Sequence, residues 1–397
     1  MFIAILGRQP EISIAELEAV YGAERVKKIS SQAATIDSDN FYIDKLGGTI
    51  KCGHVVSHVK SQKSDHHTLL QASKIIVEKY TKNLSHSQKK ITFGISFYGN
   101  KVDPRNIQKI GIILKNSLKK SDVSLRLIPN KTAALSTATS HNNKLGRSET
   151  KIEIIIVRTI NGDFLIAKSR GTQNINSYTQ RDRERPKRDA FVGMLPPKLA
   201  QIMINLSGAQ SGNYLWDPFC GTGTVLQEAT LLSINAYGSD LSDKMVDYTS
   251  ENMRWLEKTF STNTAWQVFQ ADATSVKLTS EQKQQITHIV CETYLGQPFS
   301  APPSPAKLKE VVGNCNHIIS EFLKNIHDQI RPESMLCIAV PAWQNQHEQF
   351  THLPLIKSLS KLGYQPITDK NLLYHRPDQV VAREIMVLKP IDMTKTA

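Results

Sequence analysis

Tyr214-Leu-Trp-Asp217-Pro-Phe-Cys-Gly221-Thr-Gly223-Thr-Val-Leu226 is the stretch on which the reading of this chain turns. An apolar run closing on Asp217 reads as a buried strand, and two glycines then make a loop before a helix that opens near Thr224. Glycine permits positive φ and lets a ligand approach bare backbone. Ligands of parallel α/β sheets bind beyond the carboxyl ends of the strands, which makes this loop a candidate site. A Gly-x-Gly alone is common in tight turns, but three further acids give it weight. Asp240 closes the next predicted strand, 23 residues after Asp217, Asp272 closes the third and Glu292 the fourth. The first spacing is near the roughly 20 residues at which an acid meets ribose hydroxyls. Any one acid could be a helix N-cap; four at successive strand ends argue for a shared ligand. Pro218 stands where an anion-binding turn would follow Asp217, so the ligand reads as cationic and nucleoside-like rather than as a phosphate-bearing dinucleotide.

Outward from that stretch the pattern alternates. Strands are predicted at 214–217, 236–240, 267–272, 288–292 and 335–340, with helices at 196–206, 224–232, 243–257 and 307–329. Strand–helix alternation implies an α/β, Rossmann-like domain whose mostly parallel sheet is covered on both faces. Two more strands, 371–375 and 383–388, have no helix between them, so a hairpin should end the sheet with an antiparallel strand.

The first half of the chain has a different composition. Residues 1–190 hold 32 Lys/Arg against 17 Asp/Glu, an excess of +15, whereas residues 191–397 hold 17 against 19. All of the positive excess therefore lies in one half, as in a polyanion-binding module joined to a nearly neutral one. A strand at 2–6 is followed by a helix from Ser13 to Tyr21, where Ser13 and Glu16 have capping-box spacing. A second module begins near His58, with helices at 68–80 and 104–119 and strands at 91–97, 124–128, 152–158 and 164–168. Short mixed elements of this kind imply α+β modules. Apolar residues thin out between Gly171 and Asp189, around Arg181-Asp-Arg-Glu-Arg185-Pro, which reads as an interdomain linker. Domains are thus expected at 1–57, 58–170 and 191–397, joined by 171–190.

Composition excludes other classes. No apolar run approaches the ~18 residues that span a bilayer, and the opening run is too short for a signal segment. The five cysteines are scattered and never spaced C-x-x-C, and the twelve histidines show no ligand spacing. Neither a disulfide framework nor a metal site is expected, and a reducing cytoplasm is. Trp216 and Trp343 are expected to pack the sheet, and Cys220 to fill space in the loop.

The Asp217 to Glu292 pattern resembles the class I S-adenosylmethionine-dependent methyltransferases. The resemblance implies that Asp217, Gly221 and Gly223 hold the methionine portion, with Asp217 accepting from its ammonium group. Asp240 would bind the ribose hydroxyls and Asp272 the adenine amine. Tyr178…Arg181-Asp…Arg185-Pro…Gly193-Met-Leu-Pro196-Pro197, leading into Asp217-Pro-Phe-Cys-Gly-Thr-Gly, is similar to the THUMP-domain tRNA guanosine-N2 methyltransferases, which act at position ten of tRNA. Their ferredoxin-like start is matched by Ile3-Ala-Ile-Leu-Gly7-Arg…Ala15-Glu-Leu-Glu-Ala19, and a THUMP module by Gly94-Ile-Ser-Phe-Tyr-Gly99, Leu135-Ser-Thr137 and Glu153-Ile-Ile-Ile156.

One departure from that resemblance concerns the acceptor. Amino-group methyltransferases carry an Asp or Asn, two prolines and an aromatic at the end of strand four; this chain reads Cys291-Glu292-Thr293-Tyr294-Leu-Gly296. Glu292 and the Thr293 carbonyl would orient the target amine, and Tyr294 or Phe299 would stack on the flipped base. Phosphate contacts are expected from Arg126, Lys131, Lys144, Arg147, Arg181 and Arg185. The implied partner is tRNA, with the need for a small activating subunit left open. Two other readings stand beside it: an amino-methyltransferase of ribosomal RNA or DNA, and an RNA-binding protein with a degenerate site.

Overall fold

The computed structural model describes residues 1–189, 194–345, 347–377 and 379–393. The chain divides into two compact units, Met1–Ser177 and Tyr178–Ala397. Charge divides with them. The first unit holds 27 Lys/Arg against 14 Asp/Glu, and the second 22 against 22. No helix among the described residues is long and apolar enough to cross a membrane.

The first unit is one eight-stranded sheet. Its strands are β1 (Phe2–Leu6), β2 (Val26–Lys28), β3 (Ala33–Ile36), β4 (Thr49–Val59), β5 (Ile91–Tyr98), β6 (Leu125–Leu127), β7 (Lys151–Arg158) and β8 (Phe164–Thr172), in the spatial order β2-β3-β1-β4-β8-β7-β5-β6. Helices α1 (Pro10–Tyr21), α2 (Asp65–Leu84), α3 (Pro104–Lys119) and α4 (Thr137–Asn142) accompany it. The expected boundary at 57/58 falls inside β4, which pairs with β1 on one side and β8 on the other. The two expected N-terminal modules are therefore halves of one sheet. Residues Ile76, Ile107 and Leu114 of α2 and α3 pack with Phe93, Ile154 and Phe164 in the larger core. The predicted capping box is also corrected: α1 begins at Pro10, and Glu16 is buried inside the helix, where its carboxylate accepts from the Gly47 and Gly48 amides, both at 2.8 Å. Proline at the first helical position costs no backbone donor, so the helix starts a turn earlier than the Ser/Glu spacing implies.

Helix α5 (Ile175–Arg183) carries the chain from one unit to the other, so the expected linker is partly helical, and from Tyr178 onward it belongs to the second unit. That unit contains α6 (Pro197–Leu206), β9 (Tyr214–Asp217), α7 (Thr224–Leu231), β10 (Asn235–Asp240), α8 (Asp243–Phe260), β11 (Trp266–Gln270), α9 (Ser280–Gln285), β12 (Ile286–Glu292), α10 (Pro305–His327), β13 (Met335–Gln344), β14 (Phe350–Thr351), β15 (Tyr364–Pro366), β16 (Leu372–Tyr374) and β17 (Val381–Pro390). The sheet order is β11-β10-β9-β12-β13-β17-β15. The five strands from β11 to β13 are parallel, and β17 is antiparallel to β13. This is the expected α/β architecture with one difference at its end. β17 lies inside the sheet, between β13 and the unpredicted β15, and its hairpin partner β16 only flanks it. Trp216 and Trp343 are fully buried in the sheet core, as expected.

Candidate cofactor and active site

Because β11, β10, β9 and β12 are neighbours and parallel, their carboxyl ends open on one edge of the sheet, each about 4.8 Å from the next. Asp217 ends β9, Asp240 ends β10 and Glu292 ends β12. Asp272 sits two residues beyond the end of β11 rather than in it, exposed, with Oδ1 accepting from the Thr274 amide (2.8 Å) and hydroxyl (2.7 Å). All four acids line one cavity of about 840 Å³. None caps a helix: the N-caps of α7, α8, α9 and α10 are Gly223, Ser242, Thr279 and Ser304. Helix capping therefore does not explain the acids.

The glycine loop is held from both sides. The Gly221 amide donates to Asp240 Oδ2 at 2.9 Å, and the Ser242 amide to Asp240 Oδ1 at 2.9 Å. Each carboxylate oxygen keeps a second acceptor position. From α8, Thr249 Oγ1 donates to the Gly221 carbonyl (2.8 Å) and Asn252 Nδ2 to the Thr222 carbonyl (2.8 Å). Gly221 has φ +53°, and a Cβ there would meet only the Phe219 carbonyl, at 4.0 Å, so the missing side chain leaves cavity space. Gly223 does not line the cavity. It has φ +82°, and a Cβ would come within 2.7 Å of Thr249 Cγ2, so its role is close loop–helix packing.

Asp217 is 2% exposed, and burial pushes its carboxyl well above the usual range. The Phe219 amide, donating at 3.0 Å, pulls the other way, while the charges of Asp240 and Glu292 add to the rise. No cation of the protein compensates Asp217 among the described residues that line the cavity, which include no Lys or Arg. A buried carboxylate short of a positive partner calls for a cationic ligand. Glu292 differs. Arg383 Nε of β17 donates to its Oε1, and this ion pair opposes the burial that raises Glu292. Arg383 is a site residue that the motifs do not point to; an arginine inside the apolar run of β17 is the signal that marks it. Thr293 is buried, and its amide and hydroxyl both donate to the Ala339 carbonyl at 3.0 Å. Tyr294 is 41% exposed at the cavity wall rather than packed into the core, whereas Phe299 packs against the core cluster.

The six expected phosphate contacts separate into two groups. Arg126, Lys131, Lys144 and Arg147 are exposed in the first unit. Arg181 and Arg185 are interior residues of the second, which corrects their reading as surface contacts. Arg181 Nε and Nη2 donate to Glu228 Oε1 (2.6 Å) and Oε2 (3.1 Å), and its guanidinium lies 4.3 Å from the Tyr178 ring centre. Arg185 donates to Thr224 Oγ1 at 2.7 Å. Gly193 of the linker motif lies outside the described residues. No group of His, Cys, Asp and Glu among the described residues could hold a metal ion.

Known proteins resemble the chain in the same places. The model of the UPF0020 family, an RMKL-like methyltransferase domain, matches residues 185–355, inside the second unit. The model of a DNA methylase family matches residues 28–251. A tRNA (guanine(10)-N2)-dimethyltransferase of Methanothermobacter thermautotrophicus is 30% identical over 46% of this chain and 48% of its own length, so the match spans about half of that relative. An enzyme of the same name from Methanocaldococcus jannaschii is 25% identical over 62% of this chain and 68% of its own length. The crystal structure of TrmN from Thermus thermophilus aligns over 98% of this chain and 99% of its own, with a TM-score of 0.53 at 15% identity, which speaks for the fold.

Proposed function

The chain belongs to the DNA methylase family and carries an RMKL-like methyltransferase domain, and we propose that this S-adenosylmethionine-dependent methyltransferase methylates the exocyclic N2 of a guanosine in tRNA, at position ten. The observation that carries the cofactor assignment is the set of four acids on adjacent strand ends around one cavity, with a glycine loop and no lining Lys or Arg among the described residues. That set repels phosphates and suits a sulfonium and an ammonium group. Asp217 would hold the ammonium, Asp240 the ribose hydroxyls and Asp272 the adenine amine; Gly221 leaves the space the ligand needs. When bound, the cofactor supplies an electrophilic methyl on a sulfonium that leaves as a neutral thioether.

The chain's own residues position the acceptor. Glu292, whose burial favours the neutral acid and whose ion pair with Arg383 favours the carboxylate, accepts in its ionised form from the guanine amine through the oxygen that Arg383 does not take. The Thr293 segment is fixed by its two bonds to Ala339, so its carbonyl is a pre-set second acceptor. Tyr294, half-exposed at the wall, offers a face on which a flipped base stacks. The first unit, read as a THUMP-type RNA-binding module, supplies the grip on phosphates through Arg126, Lys131, Lys144 and Arg147. The net charge of that unit and the names of the two archaeal relatives favour tRNA over DNA.

Methyl transfer from labelled S-adenosylmethionine to unmodified tRNA, followed by nucleoside mass spectrometry and site mapping, tests the proposal. N2-methylguanosine or its N2,N2-dimethyl form at position ten is the expected product. Methylated adenine or cytosine in DNA would move the reading to the DNA branch of the family. Cofactor and tRNA binding without transfer would mark the Glu292-Thr293-Tyr294 segment as degenerate.

A further inference from the structure

Arg185 is 2% exposed, yet it has no ion-pair partner among the described residues. Its Nη1 donates to Thr224 Oγ1 at 2.7 Å and its Nη2 to Met194 Sδ at 3.0 Å, while Nε has no partner. A guanidinium has five donors, no acceptor and no accessible neutral form. Two acids act on its charge, but Asp182 makes no ion pair or hydrogen bond with it among the described residues, and Glu228 already receives both Nε and Nη2 of Arg181. A charge buried in this way is costly unless an anion completes it.

The place where the anion would sit is marked by the two residues Arg185 bonds. Thr224 and Met194 both line the acidic cavity. Thr224 is also the first residue of α7, whose N-cap, Gly223, brings no side-chain acceptor to the helix's opening amides. Unfilled amides at a helix start attract anions. Because the Thr224 hydroxyl accepts from Arg185, its own hydrogen is left to donate elsewhere. The remainder of the wall, with Asp189, Asp217, Asp240, Asp272, Glu292 and Glu321, would repel any negative group.

We infer that Arg185, standing behind the wall and acting through Thr224, seats the carboxylate of the cofactor's amino-acid end at the start of α7. This rests on the reading of S-adenosylmethionine as the ligand. The zwitterionic end would then meet charges of opposite sign: Asp217 on the ammonium, and on the carboxylate the Thr224 hydroxyl backed by the Arg185 charge. An arginine that looks like part of a charged linker becomes a positioning residue, which through Thr224 distinguishes the whole cofactor from nucleosides that lack the amino-acid carboxylate.

Binding to the full chain, measured by titration calorimetry, tests this with three probes: S-adenosylhomocysteine, its decarboxylated form, and 5′-methylthioadenosine. The wild type should bind the decarboxylated form about 10- to 100-fold more weakly than S-adenosylhomocysteine, the range for losing a buried charge-assisted bond. Arg185→Met should lose the same factor for S-adenosylhomocysteine, while its affinities for the other two probes stay within about twofold. Arg185→Lys, which keeps the charge without the fork, should fall between. Equal wild-type affinity for the first two probes overturns the inference without any variant. So does a loss of methylthioadenosine binding in Arg185→Met that matches the loss of S-adenosylhomocysteine, since Arg185 would then be a strut of the fold. A wild type that binds none of the three instead removes the cofactor reading itself.

Discussion

Both units bury charged side chains, but they treat them in opposite ways. In the first unit Lys51 and Glu153 are fully buried on β4 and β7 and neutralise each other, with Nζ 2.6 Å from Oε1. Ser96 of β5 completes the pair: its hydroxyl donates to Glu153 Oε1 (2.6 Å), while Lys51 Nζ donates to the Leu135 carbonyl (2.8 Å) and the Leu135 amide to Ser96 Oγ (2.9 Å). Buried charge there meets its counter-charge within the sheet, although Glu153 Oε2 takes no hydrogen bond, and it pins the loop that leads from Lys131 into α4. The second unit leaves charge open. Asp217 lacks a cation and Arg185 an anion, and both stand at or behind the wall of one cavity. The difference teaches that burial alone does not mark a functional group. A buried charge with its counter-charge in place is architecture, whereas buried charges left without one beside a cavity specify the ligand that compensates them.

The contrast is broken most severely by opening the closed pair. Glu153→Ala leaves Lys51 uncompensated in the core, which costs about 3–5 kcal/mol. Denaturant unfolding followed by a probe in the first unit should show that loss, while S-adenosylhomocysteine affinity of protein kept folded at low denaturant stays at the wild-type value. Glu153→Ala with wild-type stability would mean the pair contributes nothing to the core. A parallel loss of cofactor affinity would break the separation between closed and open charge.

The open site is sharpened by its pH dependence. Burial raises the Asp217 carboxyl well above its ordinary value, so in the folded protein a proton competes with the ligand's ammonium for it. Cofactor affinity should therefore weaken as pH falls through that raised value, by up to about tenfold per unit below it. It should level off above it, where Asp217 is ionised. Asp217→Asn should bind about 10- to 100-fold more weakly at pH 8 and show a flat profile, with tRNA affinity unchanged. A wild-type profile as flat as the variant's would mean that Asp217 is ionised throughout and that its burial is not what the ammonium relieves.

The open half is more legible in the sequence than the closed one, for physical reasons. Parallel strands buried on both faces write a repeating pattern with the helices between them, so β9 to β13 and α6, α7, α8 and α10 are readable to within a few residues, as are the acids at the strand ends, whereas the six-residue, polar α9 is not. In the first unit β3 and β4 escape such reading. Ala33–Ile36 is short and rich in alanine, and Thr49–Val59 mixes Lys51, Gly53, His54 and His58 into a strand whose fitness depends on distant partners. Arg181 and Arg185 mislead for a related cause. A run such as Arg181-Asp-Arg-Glu-Arg185 is indistinguishable from solvated surface until Glu228 and Thr224, 47 and 39 residues away, are brought against it. The pairing of Arg383 with Glu292, 91 residues apart, is hidden in the same way. Pattern reveals which backbone is buried; it does not reveal which charges are buried with it.

The smallest expected effect concerns charges that neither unit buries. Arg126 and Lys131 are exposed on the unit that holds the molecule's net charge, so they should act on a polyanion only through screened attraction. Reversing both, Arg126→Glu with Lys131→Glu, should weaken tRNA binding severalfold near 0.1 M salt. It should also flatten the plot of log affinity against log salt by roughly 0.7–0.9 for each phosphate that is no longer neutralised. Filter binding across a salt series measures both, with S-adenosylhomocysteine affinity as the internal reference. A weaker affinity with an unchanged slope would show that these residues shape the loop rather than touch phosphate. An unchanged affinity would move the RNA-facing surface of the first unit away from them, leaving Lys144 and Arg147 as the residues to reverse next.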